Sequence, residues 1–200
     1  MKPLLTILVP TLACRDKFYA RLEQCLMPQL GTDVELLKLR DDGEQTIGAK
    51  RQRLLESAVT PFVAFVDDDD LVAPDYCQRI ISGIREHDPD VIGFRLAQFD
   101  DGDLSARTIH SVTAKSWHSQ WIPGQLPQHY RTPNHLNPVR REMALSIGYD
   151  DTRNWGEDSL YSEQLFERYP DMREHFIDAE LYLYYRRSAQ FREGERVNPV

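Results

Sequence analysis

Two hundred residues, 41% of them hydrophobic, can fill the core of one large domain or of one domain with an appended lobe. The net charge of -8, with 24 Lys and Arg against 32 Asp and Glu and no basic run longer than a pair, argues against a protein that grips duplex nucleic acid by neutralising phosphates, although a local basic groove stays open. No stretch approaches the roughly 18 apolar residues of a membrane span, and Lys2-Pro3-Leu4-Leu5 opens a strand rather than a signal peptide. Cys14, Cys25 and Cys77 lack any CxxC spacing and read as buried free thiols, so a cytoplasmic protein is expected.

Leu4 to Val9 (LLTILV) is a buried-strand pattern stopped by Pro10-Thr11, close enough to the N-terminus to start a βαβ unit. Asp16 to Gln29 carries Phe18, Leu22, Cys25, Leu26 and Gln29 at helical spacing, ended by Pro28 and Gly31. Val34 to Leu39 (VELLKL) is the next strand, and Asp41-Asp42-Gly43-Glu44 is turn chemistry at its carboxyl end. Ile47 to Ala58 reads as a helix with Ile47, Leu54, Leu55 and Ala58 inward and Lys50, Arg51 and Arg53 outward. Phe62 to Val66 is a central strand, and three strands alternating with two helices predict a parallel, doubly wound start. Pro74 is expected in the first turn of the following helix, which buries Tyr76, Ile80, Ile81 and Ile84. Asp90 to Phe94 is a strand and Asp100-Asp101-Gly102-Asp103 a turn. From there to about Tyr130 the periodicity fades, as in a binding loop. Glu157 to Tyr169 is a helix with Leu160, Leu165 and Phe166 inward, Leu181 to Tyr185 a late aromatic strand, and the chain from Ser188 a polar tail.

Asp67, Asp68, Asp69 and Asp70 follow the central strand without a spacer. At an effective dielectric of about 20, two charges roughly 5 Å apart repel by about 3 kcal/mol, so the group calls for a counterion, and a divalent metal is economical. In open α/β sheets the ligand crevice lies at the carboxyl ends of the strands, which is where these residues fall. The other reading of the run is a solvated acidic loop.

With these elements placed, the chain resembles the nucleotide-sugar-dependent glycosyltransferases of the GT-A fold, in particular the large inverting family two. Four motifs carry the resemblance in order: ILVPTL, LRDDGEQTIGAKRQRLLESA, FVDDDDLVAP with its DxD aspartates, and WGEDSLYSEQL with its Glu-Asp pair. It implies an α/β fold, three-layer α/β/α and Rossmann-like, with a mostly parallel central sheet and a small acceptor-side region. One domain over 1–200 is implied, with a nucleotide-sugar-binding half to about 100, an acceptor-binding and catalytic half over about 101–187, and a tail over 188–200.

The resemblance also implies roles. Pro10 and Thr11 cover the nucleotide, Asp41 hydrogen-bonds the base, and Lys50 or Arg51 contacts base or phosphate. Asp67 and Asp68 approach the nucleotide, and Asp69, with Asp67, ligates Mn²⁺ or Mg²⁺ bridging the diphosphate. A register of Asp68 and Asp70 stays open. Asp158 is the general base for the acceptor hydroxyl, with Glu157 as its neighbour, and direct attack inverts the anomeric centre. The donor is a nucleoside-diphosphate sugar; the acceptor is a saccharide, a lipid-linked group, a protein or a modified nucleobase. His135 contacts acceptor or diphosphate or caps a turn, and Arg186 and Arg187 clamp the diphosphate or are solvated. Trp117, Trp121 and Trp155 fit sugar stacking or core, with core expected for at least one.

Two other classes compete. Asp68-Asp69-Asp70-Leu71-Val72 satisfies the DxDxV nucleophile motif of haloacid-dehalogenase-like phosphatases, with Asp68 attacking and Asp70 as acid/base, although that motif ends a first strand and here two strand-helix units precede it. A non-catalytic nucleotide-sugar binding module needs no base, against which the Glu157-Asp158 pair argues. A calcium loop counted from Asp67 finds Val72 and Gln78 where it needs Gly and Glu.

Overall fold

The computed structural model describes residues 2–186, so the expectations for Arg187 and the tail lie outside the described residues. Strand β1 (Leu5–Leu12) pairs in parallel with β2 (Val34–Asp41) on one side and β3 (Phe62–Phe65) on the other. The crossovers are α1 (Asp16–Leu26), flanked by single 3-10 turns, and α2 (Ile47–Ser57). The doubly wound start therefore forms as read. Pro10 lies inside β1 rather than ending it. Pairing with β3 stops at Leu8, whose carbonyl takes the Val66 N–H at 3.0 Å, and two residues on, where the same edge recurs, no strand asks for the N–H that proline lacks.

Short β4 (Leu71–Val72) leads into α3 (Tyr76–His87). Pro74 precedes that helix instead of opening it. The Tyr76 N–H bonds the Ala73 carbonyl at 3.1 Å, which makes Pro74 the second residue of a tight turn, where its fixed φ is favourable. β5 (Val91–Asp100) runs past the expected Phe94 and returns through the Asp101-Gly102 turn as antiparallel β6 (Asp103–His110). The aperiodic stretch becomes an edge ribbon, β7 (His118–Gln120) against β8 (Gln128–Arg131), with β8 parallel to β6. Then come β9 (Val139–Arg140), α4 (Arg141–Ile147), α5 (Glu157–Arg168) and β10 (Glu174–Arg186). β10 begins seven residues before the aromatic run, because register shifts at Ile177–Glu180–Tyr182 break the alternation that would reveal it.

The sheet order is β2-β1-β3-β9-β5-β6-β8-β7, with β10 parallel to β5 and antiparallel to β4. It is parallel across β2-β1-β3 and mixed beyond. Helices α1 and α3 cover one face with Leu22, Leu26, Ile80 and Ile84; α2, α4 and α5 cover the other with Leu54, Leu55, Met143 and Leu165. Coverage on both faces is why β1 and β3 read as continuous apolar runs. α5 buries Leu165 and packs Phe166 on the core as expected, but its inward face also takes Tyr161, which stacks on Tyr149 at 4.6 Å, whereas Leu160 is only half-buried. Among the described residues no helix is long and apolar enough to cross a membrane.

Candidate active site

The carboxyl ends of β1, β2 and β3 open onto one cleft of about 1230 Å³. Thr11, Gly43, Asp67, Asp68 and Asp69 line it from the strand ends, and His135, Glu157 and Asp158 face it from the later chain. This is the crevice that open α/β sheets use for ligands.

The four aspartates part company. Asp70 is buried and accepts hydrogen bonds from the Tyr182 hydroxyl (2.8 Å) and the Tyr185 N–H (2.7 Å), so it fastens β10 to the end of β3. Burial, with Asp67 and Asp69 nearby, pushes its carboxyl well up against those two donors. Asp68 accepts from the Thr11 hydroxyl at 2.6 Å and from Arg15, whose Nη2 lies 2.7 Å from both Asp68 Oδ1 and Asp69 Oδ2. Burial raises Asp68, and Arg15 and Thr11 oppose this only in part. Asp67 is held by Arg51 at 2.8 Å and by His135 Nε2 at 3.4 Å. Burial pushes its carboxyl up, but Arg51 and His135 outweigh that and hold it far below the usual carboxylate range. The repulsion that pointed to a metal is thus met by the chain's own guanidiniums.

Lys50 and Arg51, expected outward, are 3% and 4% exposed. They are buried because they carry the charges that the strand ends need. Lys50 Nζ donates to the Thr11 carbonyl at 3.0 Å and pairs with Asp41, tying the end of β1 to that of β2. Asp41 also accepts from the N–H groups of Gln45 (3.0 Å) and Gly43 (3.3 Å). Burial raises this carboxyl, and Lys50 with the two amides overrides it and lowers it. Arg51 spans Asp67 and Glu157, joining β3 to α5.

Gly156 caps α5 at φ +75°, a left-handed position that other residues adopt at a cost, and this turn delivers Glu157 and Asp158 to the cleft. Glu157 is buried against Arg51; Asp158 is more open, its Oδ2 3.9 Å from His135 Nδ1. The His135 ring stands between Asp67 and Asp158, with Nδ1 buried and without a hydrogen bond. Asn137 shapes the turn beneath it by accepting from the Asn134 N–H at 3.0 Å and donating to the Ile92 carbonyl at 2.9 Å.

Other expected contacts differ. Arg186 lines the cleft but is paired twice with Asp100 at 2.9 Å. None of the three tryptophans is core: Trp117, Trp121 and Trp155 are 44%, 72% and 89% exposed, and all line the cleft. All three cysteines are free, but Cys14 is exposed and only Cys77 buried. The DxDxV reading fails on geometry, since Asp70 is turned into the β4–β10 junction and its would-be partner Asp68 is held by Thr11 and Arg15. Arg15 escaped the sequence reading because nothing in a lone arginine before a helix shows that it folds back onto strand ends over 50 residues away. Among the described residues, no three His, Cys, Asp or Glu side chains converge to hold a metal by themselves.

A Rossmann-like sheet whose acidic strand end shares a cleft with a Glu-Asp helix start defines a GT-A protein of the glycosyltransferase class. The chain belongs to glycosyl transferase family 2, whose family model matches residues 32–169. It is 33% identical over 76 residues to EpsH of Bacillus subtilis (strain 168), a protein named as a glycosyltransferase, a match covering 38% of this chain and 21% of EpsH. In structure it is similar to S. aureus TarS 1-349 in complex with UDP-GlcNAc, at a TM-score of 0.66 and 17% identity, covering 100% of this chain and 62% of that one. The same TarS fragment in complex with UDP gives 0.63 and 17%, covering 97% and 63%. The chain thus spans less than two thirds of each relative's length.

Proposed function

We propose that the chain transfers a sugar from a nucleoside-diphosphate sugar to an acceptor hydroxyl with inversion. The observation that carries this reading is the linkage across the cleft: Arg51 joins Asp67 to Glu157, and His135 stands between Asp67 and Asp158. Donor-side and acceptor-side carboxylates thereby face one space. The TarS complexes with UDP and UDP-GlcNAc favour uridine as the base. The residues to about 100 form the donor half and those over about 101–186 the acceptor half. The free cysteines suit the cytoplasm.

On the donor side, Pro10, Thr11 and Gly43 border the nucleotide, with the Lys50–Asp41 pair fixing the two strand ends beneath the base. Asp69, which is partly exposed and among the described residues pairs only with Arg15, together with Asp67 fits the pattern by which Mg²⁺ or Mn²⁺ is bound through one or two carboxylates and substrate phosphates. When bound, the ion supplies positive charge to the diphosphate. Arg15 brings a guanidinium to the same place.

Asp158 takes the proton of the acceptor hydroxyl while the acceptor oxygen bonds to the anomeric carbon and the bond to the diphosphate oxygen breaks on the opposite face. Glu157 is matched by Arg51 and therefore positions the helix start rather than accepting the proton. Asp158→Asn should lower turnover by about 10²–10⁴-fold with donor affinity nearly unchanged. Near-native turnover in that variant overturns the assignment, and donor binding without any transfer by the wild-type protein would favour the binding-module reading.

A further inference from the structure

The β7–β8 ribbon presents the cleft with aromatic surface that the core does not use. Among the described residues, the exposed large apolar side chains other than Met27 and Val59 lie on the cleft or this ribbon. Single exposed apolar groups are ordinary, but a set gathered around a cleft marks a binding surface. The rings are held in place. Trp117 Nε1 donates to Thr132 Oγ1 at 2.9 Å, and Thr132 meets the Ser162 hydroxyl at 2.8 Å on α5, one turn after Asp158. With its N–H already engaged, Trp117 has its ring to offer a ligand. Trp121 packs edge-on to His129 at 6.3 Å, and Tyr130 stacks on His118 at 4.7 Å.

Arg131 adds charge to this surface. Its guanidinium lies 5.0 Å from the Trp117 ring and donates to the carbonyls of His118 (3.1 Å) and Tyr130 (3.0 Å). The other arginines and the lysine of the cleft are matched by carboxylates: Arg15 by Asp68 and Asp69, Lys50 by Asp41, Arg51 by Asp67 and Glu157, Arg186 by Asp100. Among the described residues no carboxylate lies within 4.0 Å of Arg131, in a chain with a net charge of -8. An unmatched guanidinium beside aromatic rings suits a ligand with an apolar ring face and an anionic group.

We propose that the β7–β8 ribbon is the acceptor wall and that the acceptor is an acidic saccharide, its pyranose face lying on Trp117 and Trp121 and its carboxylate or phosphate meeting Arg131. This rests on the glycosyl-transfer reading of the cleft and adds the chemical class of the acceptor to it. The Thr132–Ser162 contact sets the wall against the helix that carries the base.

The test is tryptophan-fluorescence titration of the full chain with trisaccharides of gluco, galacto and manno configuration, each as the neutral sugar, the C6 uronate and the 6-phosphate. At low salt the acidic form of at least one should bind about tenfold or more tightly than its neutral counterpart, and the tighter of uronate and phosphate identifies the anion. Arg131→Gln should abolish that preference and Arg131→Lys keep part of it. Trp117→Ala and Trp121→Ala should each weaken both forms by about three- to tenfold. UDP affinity should be unchanged in every variant, which also reports that each is folded. Equal affinity for neutral and acidic sugars, a preference that survives Arg131→Gln, tryptophan variants without effect, or no saccharide binding at all overturns the proposal. So does loss of UDP affinity in folded Arg131→Gln, since Arg131 would then serve the donor. A wild-type protein that binds acidic sugars but no UDP leaves this wall standing and sinks the donor reading.

Discussion

Arg51 is buried between Asp67 and Glu157, so one side chain balances two carboxylates from distant parts of the chain. Its value lies less in net attraction than in what its removal leaves behind. Arg51→Ala strands Glu157 in the interior and Asp67 with only His135, and breaking a buried pair in this way costs about 3–5 kcal/mol. Urea denaturation should show that loss, and Arg51→Lys should recover little of it, because one ammonium cannot reproduce a fork that reaches both partners. Arg15 is a milder case, since it is partly exposed and its partners are Asp68 and Asp69. Arg15→Gln should therefore leave the protein folded and, by removing the competing cation, raise the affinity of the UDP-bound protein for Mn²⁺ by titration calorimetry. Unchanged Mn²⁺ affinity would show that Asp69 is not a ligand.

The helices act through their ends. Gly48, in the first turn of α2, donates its N–H to the Arg153 carbonyl at 3.0 Å, and a Cβ there would lie 1.9 Å from the Asp150 carbonyl oxygen. That contact is with backbone and cannot be relieved by a rotamer. Gly48→Ala should cost about 1–3 kcal/mol and displace the segment leading into α5, lowering turnover more than UDP affinity, as paired denaturation and kinetic measurements would reveal. On β6, His110 is buried with its Nδ1 3.2 Å from Asn137 Oδ1. Burial lowers it, and despite the Asn137 bond, and with His135 and Arg131 nearby, it stands at about 3 against an ordinary 6.5. The unfolded chain takes up this proton first, so the stabilisation is complete above pH 6.5 and is lost as pH falls toward 3. By pH 4.5 the loss is about 2–3 kcal/mol. His110→Gln should lose correspondingly less between pH 7 and 4.5, and because Asp68 and Asp70 titrate in both proteins, the difference between the two isolates His110. Equal losses would place the pH dependence elsewhere.

Across the whole molecule, the sheet brings strand ends from residues 11, 41 and 67 to the start of α5 at 157. A ligand held at that junction stabilises everything joined there. UDP should raise the melting temperature, and Mn²⁺ should add to the shift only while UDP is present, since the ion would depend on phosphate oxygens for the rest of its ligands. An equal shift from Mn²⁺ alone would mean a protein-only metal site.

The strands β1, β2 and β3, the helices between them and the Glu-Asp helix were legible because the signal was local: buried runs, helical spacing, turn residues and motifs in order. The identity of the cleft followed from the same stretches. The register of the aspartates did not, because consecutive residues point in different directions only once β10 has returned to place Tyr182 and Tyr185 on Asp70. Lys50 and Arg51 were misread as outward-facing because helical periodicity treats charge as a mark of solvent, and their burial depends on carboxylates brought from Asp41, Asp67 and Glu157. The tryptophans were misjudged for the converse reason: size and apolarity predict core until the edge ribbon, for Trp117 and Trp121, and the segment before α5, for Trp155, leave them lining the cleft. By itself the sequence determined the strands and helices of the parallel start, the Glu-Asp helix and which acidic residues stand at the strand ends, since those depend on neighbours a few positions away. Only the tertiary structure decided which charges pair and which are left unmatched, because a charge is matched by whatever the fold brings within a few ångströms of it, at any distance along the chain.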